Sequence, residues 1–295
     1  MKNVNQLAQQ LAQFAQQGLL YEAALSPKPG LVDATNAGAH DDMDLFTFLD
    51  SSVALYPGFI NYAQAGLQHD GTLTELFHKI RPIGIAIEKE MNLATNGVNT
   101  HKGAIFSFGI LLAAAGCYLK REKLVLSTPL TATQTEDIFK LGQAMVTESL
   151  AKDFIGLEQK NPLTNGEKLY LKYGLMGIRG EALNGYPLIH ELALPYLRKK
   201  ATSSLSVEDK LLTTLMYLIS TLEDSNLVSR GGIAGLNWAK SAATAYLEHY
   251  SPQTVEGKKQ LQLLNQEFIE RHLSPGGSAD LLALTIFIAK LEQVL

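Results

Sequence analysis

Apolar residues return every three or four positions along most of this chain, and the two-residue alternation of a half-buried strand is nearly absent. Leu7, Leu11, Phe14 and the Leu19–Tyr21 cluster set the pattern, which stops at Ser26-Pro27, where proline ends a helix. The same period runs through Leu45–Ala65, Leu73–Ala94, Ala104–Leu119, Thr135–Asp153, Leu211–Leu222, Trp238–Tyr250, Lys258–Leu273 and Asp280–Leu295. Leu124-Val125-Leu126 is the only short strand candidate. No repeat of solenoid length and no low-complexity linker divides the chain. The expectation is an all-α protein, a single compact multi-helix domain over residues 1–295.

Composition narrows the function classes. Hydrophobic residues make up 46% and charged residues 18%, with mean hydropathy +0.02, which excludes a disordered chain. A chain of this length buries roughly three quarters of its unfolded surface. Lys and Arg number 25 against 29 Asp and Glu, so no basic footprint for nucleic acid or an anionic membrane shows. Cys117 stands alone, which excludes an internal disulfide and a thiolate metal cage. Residues 1–17 are Gln-rich and lack a cleavage site, so they do not read as a signal peptide. The most apolar run, Ala104–Leu119, falls short of the ~20 residues of a membrane span and reads as a buried helix. A cytoplasmic globule is expected, and a homodimer built on an apolar helix face stays open.

The glycines carry the functional signal. Many of the 24 cluster with charged residues in five segments between helices: Ser26–Asp44, Gly97–Gly103, Gly174–Gly185, Asp224–Gly235 and Ser274–Asp280. Glycine serves where backbone approaches a ligand closely or adopts positive φ, and polar loops on a rigid scaffold are where sites sit.

In the first segment two prolines bracket Lys28 and hold it on a stiff stretch. His40, Asp41, Asp42 and Asp44 then precede an apolar helix. One Asp there is explained as a cap; three within four residues also suggest Mg²⁺. In the second, Asn99 or Thr100 can cap a helix whose first turn carries His101 and Lys102, an arrangement suited to phosphate. Arg179 and Glu181 lie among Gly177, Gly180 and Gly185, as a local ion pair or as site residues. Asp224, Asn226 and Arg230 read as closing a helix with Gly231 as its stop. Ser278 reads as an N-cap with Asp280 in the first turn that follows. Together the segments offer carboxylates for a metal and a base, and cations for phosphates. No Walker loop, G-x-G-x-x-G, H-E-x-x-H or G-x-S-x-G occurs.

PKPGLVD (27–33), GAHDDMD (38–44), GVNTHKGAIF (97–106), YGLMGIRGEA (173–182), DSNLVSRGG (224–232) and SPGGSADLLA (274–283) resemble, in order, the motifs of the triphosphoribosyl-dephospho-CoA synthase family. The resemblance spans nearly the whole chain. Where that family has Asp-Thr-Asn, this sequence has Asp224-Ser225-Asn226, which keeps the hydroxyl.

The resemblance implies a mostly helical transferase. Its substrates would be ATP and 3′-dephospho-CoA, and its products free adenine and 2′-(5″-triphosphoribosyl)-3′-dephospho-CoA. That product is the precursor of the citrate lyase acyl carrier protein's prosthetic group; a related branch serves malonate decarboxylase. A separate transferase would then load the carrier. In this chemistry Asp42, Asp44 and Asp224 are expected to hold Mg²⁺-triphosphate. Lys28, His101, Lys102, Arg179, Arg230 and Ser278 are expected on phosphate, and Glu181, Asp224 or Asp280 as acid or base, with Glu88 a further acidic candidate. A metal-dependent nucleotide or N-riboside hydrolase could use the same clusters, and a non-catalytic binder of CoA-like nucleotides is the alternative from another class.

Overall fold

Helix starts in this chain are written into short polar sequences. Asp44, Thr72, Thr131 and Thr164 each accept a hydrogen bond from the backbone three residues on, and Thr47, Glu75, Gln134 and Glu167 return one, closing four capping boxes. In the computed structural model, which describes residues 2–295, they open α2 (Leu45–Leu67), α3 (Leu73–Ala94), α5 (Ala132–Asp153) and α6 (Asn165–Tyr173). The remaining helices are α1 (Lys2–Ala24), α4 (Lys102–Arg121), α7 (Gly177–Leu183), α8 (Leu194–Lys200), α9 (Val207–Thr221), α10 (Ser225–His249), α11 (Val255–Glu270) and α12 (Gly276–Leu291). The chain is all-α: no strand forms among the described residues, and Leu124–Leu126 lies in the turn after α4. Pro57 and Pro82 sit inside α2 and α3 but on exposed faces, where the carbonyl that proline leaves free is open to solvent.

The core is built around α4. Every residue from Phe108 to Leu119 is buried, against α1, α2, α3, α5 and α12. Gly66 lets α2 come close, because a Cβ there would lie 2.0 Å from the Ala113 carbonyl oxygen. With 20 residues α4 is longer than its apolar run predicts, and by length and composition it could cross a bilayer. Its apolar surface is instead spent inside the protein, with 83% of that window buried.

Two boundaries depart from the sequence reading for a physical reason. Asp224 opens α10 and does not close a helix, since its carboxylate accepts from the Asn226 and Leu227 N–H groups. Gly231 is no stop either: the chain kinks at Gly232 (φ 64°, ψ −167°), a conformation open to glycine, and resumes the helix. Ser278 lies inside the first turn of α12, after Pro275. The N-termini of α4, α10 and α12 thereby meet at one place.

Candidate active site

The loop between α1 and α2 is held by a buried carboxylate. Asp33 Oδ1 accepts from Thr35 N and Oγ1 and from Asn36 N, while Oδ2 accepts from Ser26 Oγ and Lys28 N. This turn directs Lys28 inward. Its Nζ donates to Glu22 Oε1 (2.5 Å) and to the Glu22 carbonyl (2.6 Å), with the lysine only 1% exposed. The expectation of Lys28 on phosphate is therefore corrected: its charge is spent on Glu22. Removing one partner of a buried pair strands the other, so Lys28→Met should lose about 3–5 kcal/mol in chemical denaturation.

Farther along the loop, Arg230 of α10 donates to the Ala39 carbonyl (2.8 Å) and to His40 Nδ1 (3.1 Å). His40 Nε2 then donates to Ser274 Oγ (2.9 Å). Burial first, and then the Arg230 charge, lower the His40 pKa and keep the ring neutral.

At the start of α4, His101 is buried and stacks edge-on against Phe48. Thr100 Oγ1 donates to Ser51 Oγ (2.7 Å); among the described residues the one acceptor left for the Ser51 proton is His101 Nδ1 (2.7 Å), which puts the ring's own proton on Nε2. That Nε2 has no partner among the described residues. Burial, and then Lys28, hold the pKa down to about 3. His101 is a neutral donor and not the cation expected from sequence.

Asp280, from the second turn of α12 and not the first as read from sequence, accepts from the Ala104 N–H, so the helix end read as a phosphate site is occupied by the protein's own carboxyl. Burial first, then Glu22 and Asp224, hold Asp280 well above the usual carboxylate range. Gly103 makes this contact possible: a Cβ there would stand 2.1 Å from Asp280 Oδ2. Lys102 faces outward and pairs with Glu88 at 2.9 Å.

The structure pairs Asp224 with Ser278, which the sequence reading kept in separate segments with separate roles. Asp224 Oδ2 accepts from Ser278 N (2.9 Å) and Oγ (3.1 Å), and Oδ1 caps α10. Both oxygens are spent stapling two helix N-termini, which leaves neither residue free for metal, base or phosphate. Asp44 caps α2 through one oxygen, its Oδ1 accepting from Thr47 N and Oγ1 (2.9 Å each); these bonds lower its pKa. Asp42 is exposed and 3.8 Å from His40. Among the described residues no three Asp, Glu, His or Cys gather at metal-ligating spacing, so the expected Asp42–Asp44–Asp224 cage does not form. Asp44→Ser preserves the cap and should leave melting temperature and Mg²⁺ dependence of turnover unchanged.

Glu181 of α7 is a different case. Its Oε2 is buried without a partner, and burial raises its pKa to about 7 against one opposing hydrogen bond from the Leu188 N–H. Arg179, on the same helix, lies 3.9 Å from Glu167, a carboxylate already paired with Lys160.

Three adjoining cavities collect these groups. A polar one of about 260 Å³ is lined by Glu22, Asp42, His101, Arg230 and Asp280. A larger, mostly apolar one of about 720 Å³ is lined by Tyr62, Phe77, Phe106, Met176 and Arg179. Between them a cavity of about 230 Å³ is walled by Glu181, Asp224 and Asp280. Asn99 and Lys102 line all three, so they form one cleft. Sequence reasoning missed Glu22, in the last turn of α1, and Ser51, inside α2, because no motif marks either one.

The chain is similar to known proteins over nearly its whole length. A protein of Streptococcus mutans named "Probable 2-(5''-triphosphoribosyl)-3'-dephosphocoenzyme-A synthase" is 43% identical over 97% of both chains. Proteins of the same name from Streptococcus equi subsp. zooepidemicus and Streptococcus pyogenes are 44% and 41% identical, each over 97% of both chains. The family described as CitG, ATP:dephospho-CoA triphosphoribosyl transferase, matches residues 8–295, and this chain belongs to it.

Proposed function

We propose that this chain transfers the 5-triphosphoribosyl group of ATP to the 2′-hydroxyl of 3′-dephospho-CoA and releases adenine. The observation that carries the reading is the single cleft in which a polar and a larger apolar cavity meet at Lys102, with Glu181 and Asp280 between them. Two substrates that share a nucleotide end and differ in an apolar arm need such a pair of chambers. Family membership and the names of the relatives support the same reaction.

The donor lies in the polar cavity with its triphosphate toward Lys102 and Arg230 at the rim, and dephospho-CoA occupies the apolar cavity beside Arg179. Breaking the bond from C1″ to adenine builds positive charge on the ribose, which the acidic floor favours. Asp280, held protonated, gives its proton to the departing adenine. Glu181, half ionised near neutral pH, takes the proton of the 2′-hydroxyl.

Mg²⁺ fits this site as a companion of the triphosphate. One or two carboxylates with phosphate oxygens and water suffice for it, and Asp42 is the exposed carboxylate lining the polar cavity. The ion would neutralise and orient the triphosphate. Asp42→Asn should raise the Mg²⁺ concentration needed for half-maximal turnover; an unchanged requirement would remove Asp42 from this role. On this reading the product is the precursor that a separate transferase attaches to the citrate lyase acyl carrier protein.

The deciding experiment incubates the protein with ATP, Mg²⁺ and 3′-dephospho-CoA and follows products by chromatography with mass detection. Adenine and the triphosphoribosyl adduct should appear together, and only with both substrates present. Adenine with free ribose triphosphate would mean hydrolysis, and no adenine would refute the transferase.

A further inference from the structure

The floor of the polar cavity is unsuited to phosphate. Lys28 occupies Oε1 and the carbonyl of Glu22, and among the described residues Glu22 Oε2 has no hydrogen-bond partner. Glu22 is 3% exposed, and that small exposure opens on the cavity it lines. Asp280 and His101 line the same space, and the His101 Nε2–H is buried without a partner. The floor thus presents a carboxylate acceptor, a protonated carboxyl and a neutral imidazole donor, while its one buried cation stands behind Glu22. A phosphate there would meet a carboxylate head-on. A ribose, whose hydroxyls both donate and accept, would find partners for each function. Acidic side chains are a general means of holding ribose hydroxyls in nucleotide sites.

We propose that Glu22, fixed in place by Lys28, recognises a ribose hydroxyl of the donor nucleotide through Oε2, with His101 Nε2–H donating to the same diol. Glu22 is thus the residue that makes the site select ribonucleotides over deoxyribonucleotides, and Lys28 is its positioning residue. This assignment rests on the transferase reading, since it places the reacting ribose of ATP in the polar cavity.

The test compares binding of ATP, 2′-deoxy-ATP and 3′-deoxy-ATP by titration calorimetry with Mg²⁺ present. The unaltered protein should prefer ATP over at least one deoxynucleotide by roughly 10- to 100-fold, the worth of a hydrogen bond to a charged group. Glu22→Leu combined with Lys28→Met removes both charges, so neither is stranded. This variant should bind the three nucleotides with nearly equal affinity, and Glu22→Gln should fall between. Equal affinities in the unaltered protein, or a preference that survives the double substitution, would overturn the proposal. Should the variants not fold, a structure of the unaltered protein with a non-hydrolysable ATP analogue decides. A ribose hydroxyl within hydrogen-bond distance of Glu22 Oε2 supports the proposal, and any other group there overturns it. Adduct formation without ribose preference would sink this inference and leave the transferase standing. A Glu22-dependent preference without adduct would do the reverse.

Discussion

In a Gly103→Ala variant the melting temperature should stay within a few degrees of the parent, while adenine release falls about a hundredfold or more. The new methyl would stand 2.1 Å from Asp280 Oδ2, and Asp280 is the end of a side chain that can swing aside. Alanine is also the better helix former by about 1 kcal/mol, which offsets part of the disturbance in the first turn of α4. The stability cost is therefore small, but the carboxyl leaves the Ala104 N–H and the cleft. Adenine release and a thermal melt on the same preparation check both halves. A variant that stays folded and keeps full turnover would remove Asp280 from the reaction.

Glu181→Gln should lower turnover by about 10²–10⁴-fold and abolish the acidic limb of the rate profile. As base, Glu181 must be ionised, so the rate of the parent should rise through about pH 7 and then level. The sign for stability is opposite. A carboxyl whose folded pKa lies above its unfolded 4.5 contributes stability that is full below that value and lost as pH rises through about 7. His40 and His101, with lowered pKa values, push the other way below neutrality. The difference between parent and Glu181→Gln melts isolates the one group: it should shrink in the parent's disfavour from pH 5 to pH 8. Kinetics and melts across that range test both statements.

The helices were legible because their signals are local. The three-to-four-residue period of Leu73–Ala94 and the Thr72–Glu75 box lie within one element and need no partner to be read. The segment 165–200 was missed as helix because α6, α7 and α8 have only 7 to 9 residues each, too short to show a period. In the site, the loops that converge were recognisable, but the division of labour within them was not. Lys28 looks like a phosphate ligand until Glu22, six residues back on a helix face, is seen to hold it. Asp224 looks like a metal ligand until Ser278, 54 residues on, consumes it. Both cases turn on a partner distant in sequence or unmarked by any motif, and only burial says whether a charge is free.

The placement of Asp280 on the N-terminus of α4 also bears on inhibitor design. The free N–H position at the start of that helix is already occupied by a resident carboxyl, so simple oxyanions such as sulfate should compete poorly there. A tight antagonist of this cleft would instead carry an uncharged, hydroxylated head against Glu22 and His101, acidic groups reaching outward to Arg230 and Lys102, and a greasy tail filling the chamber beside Tyr62.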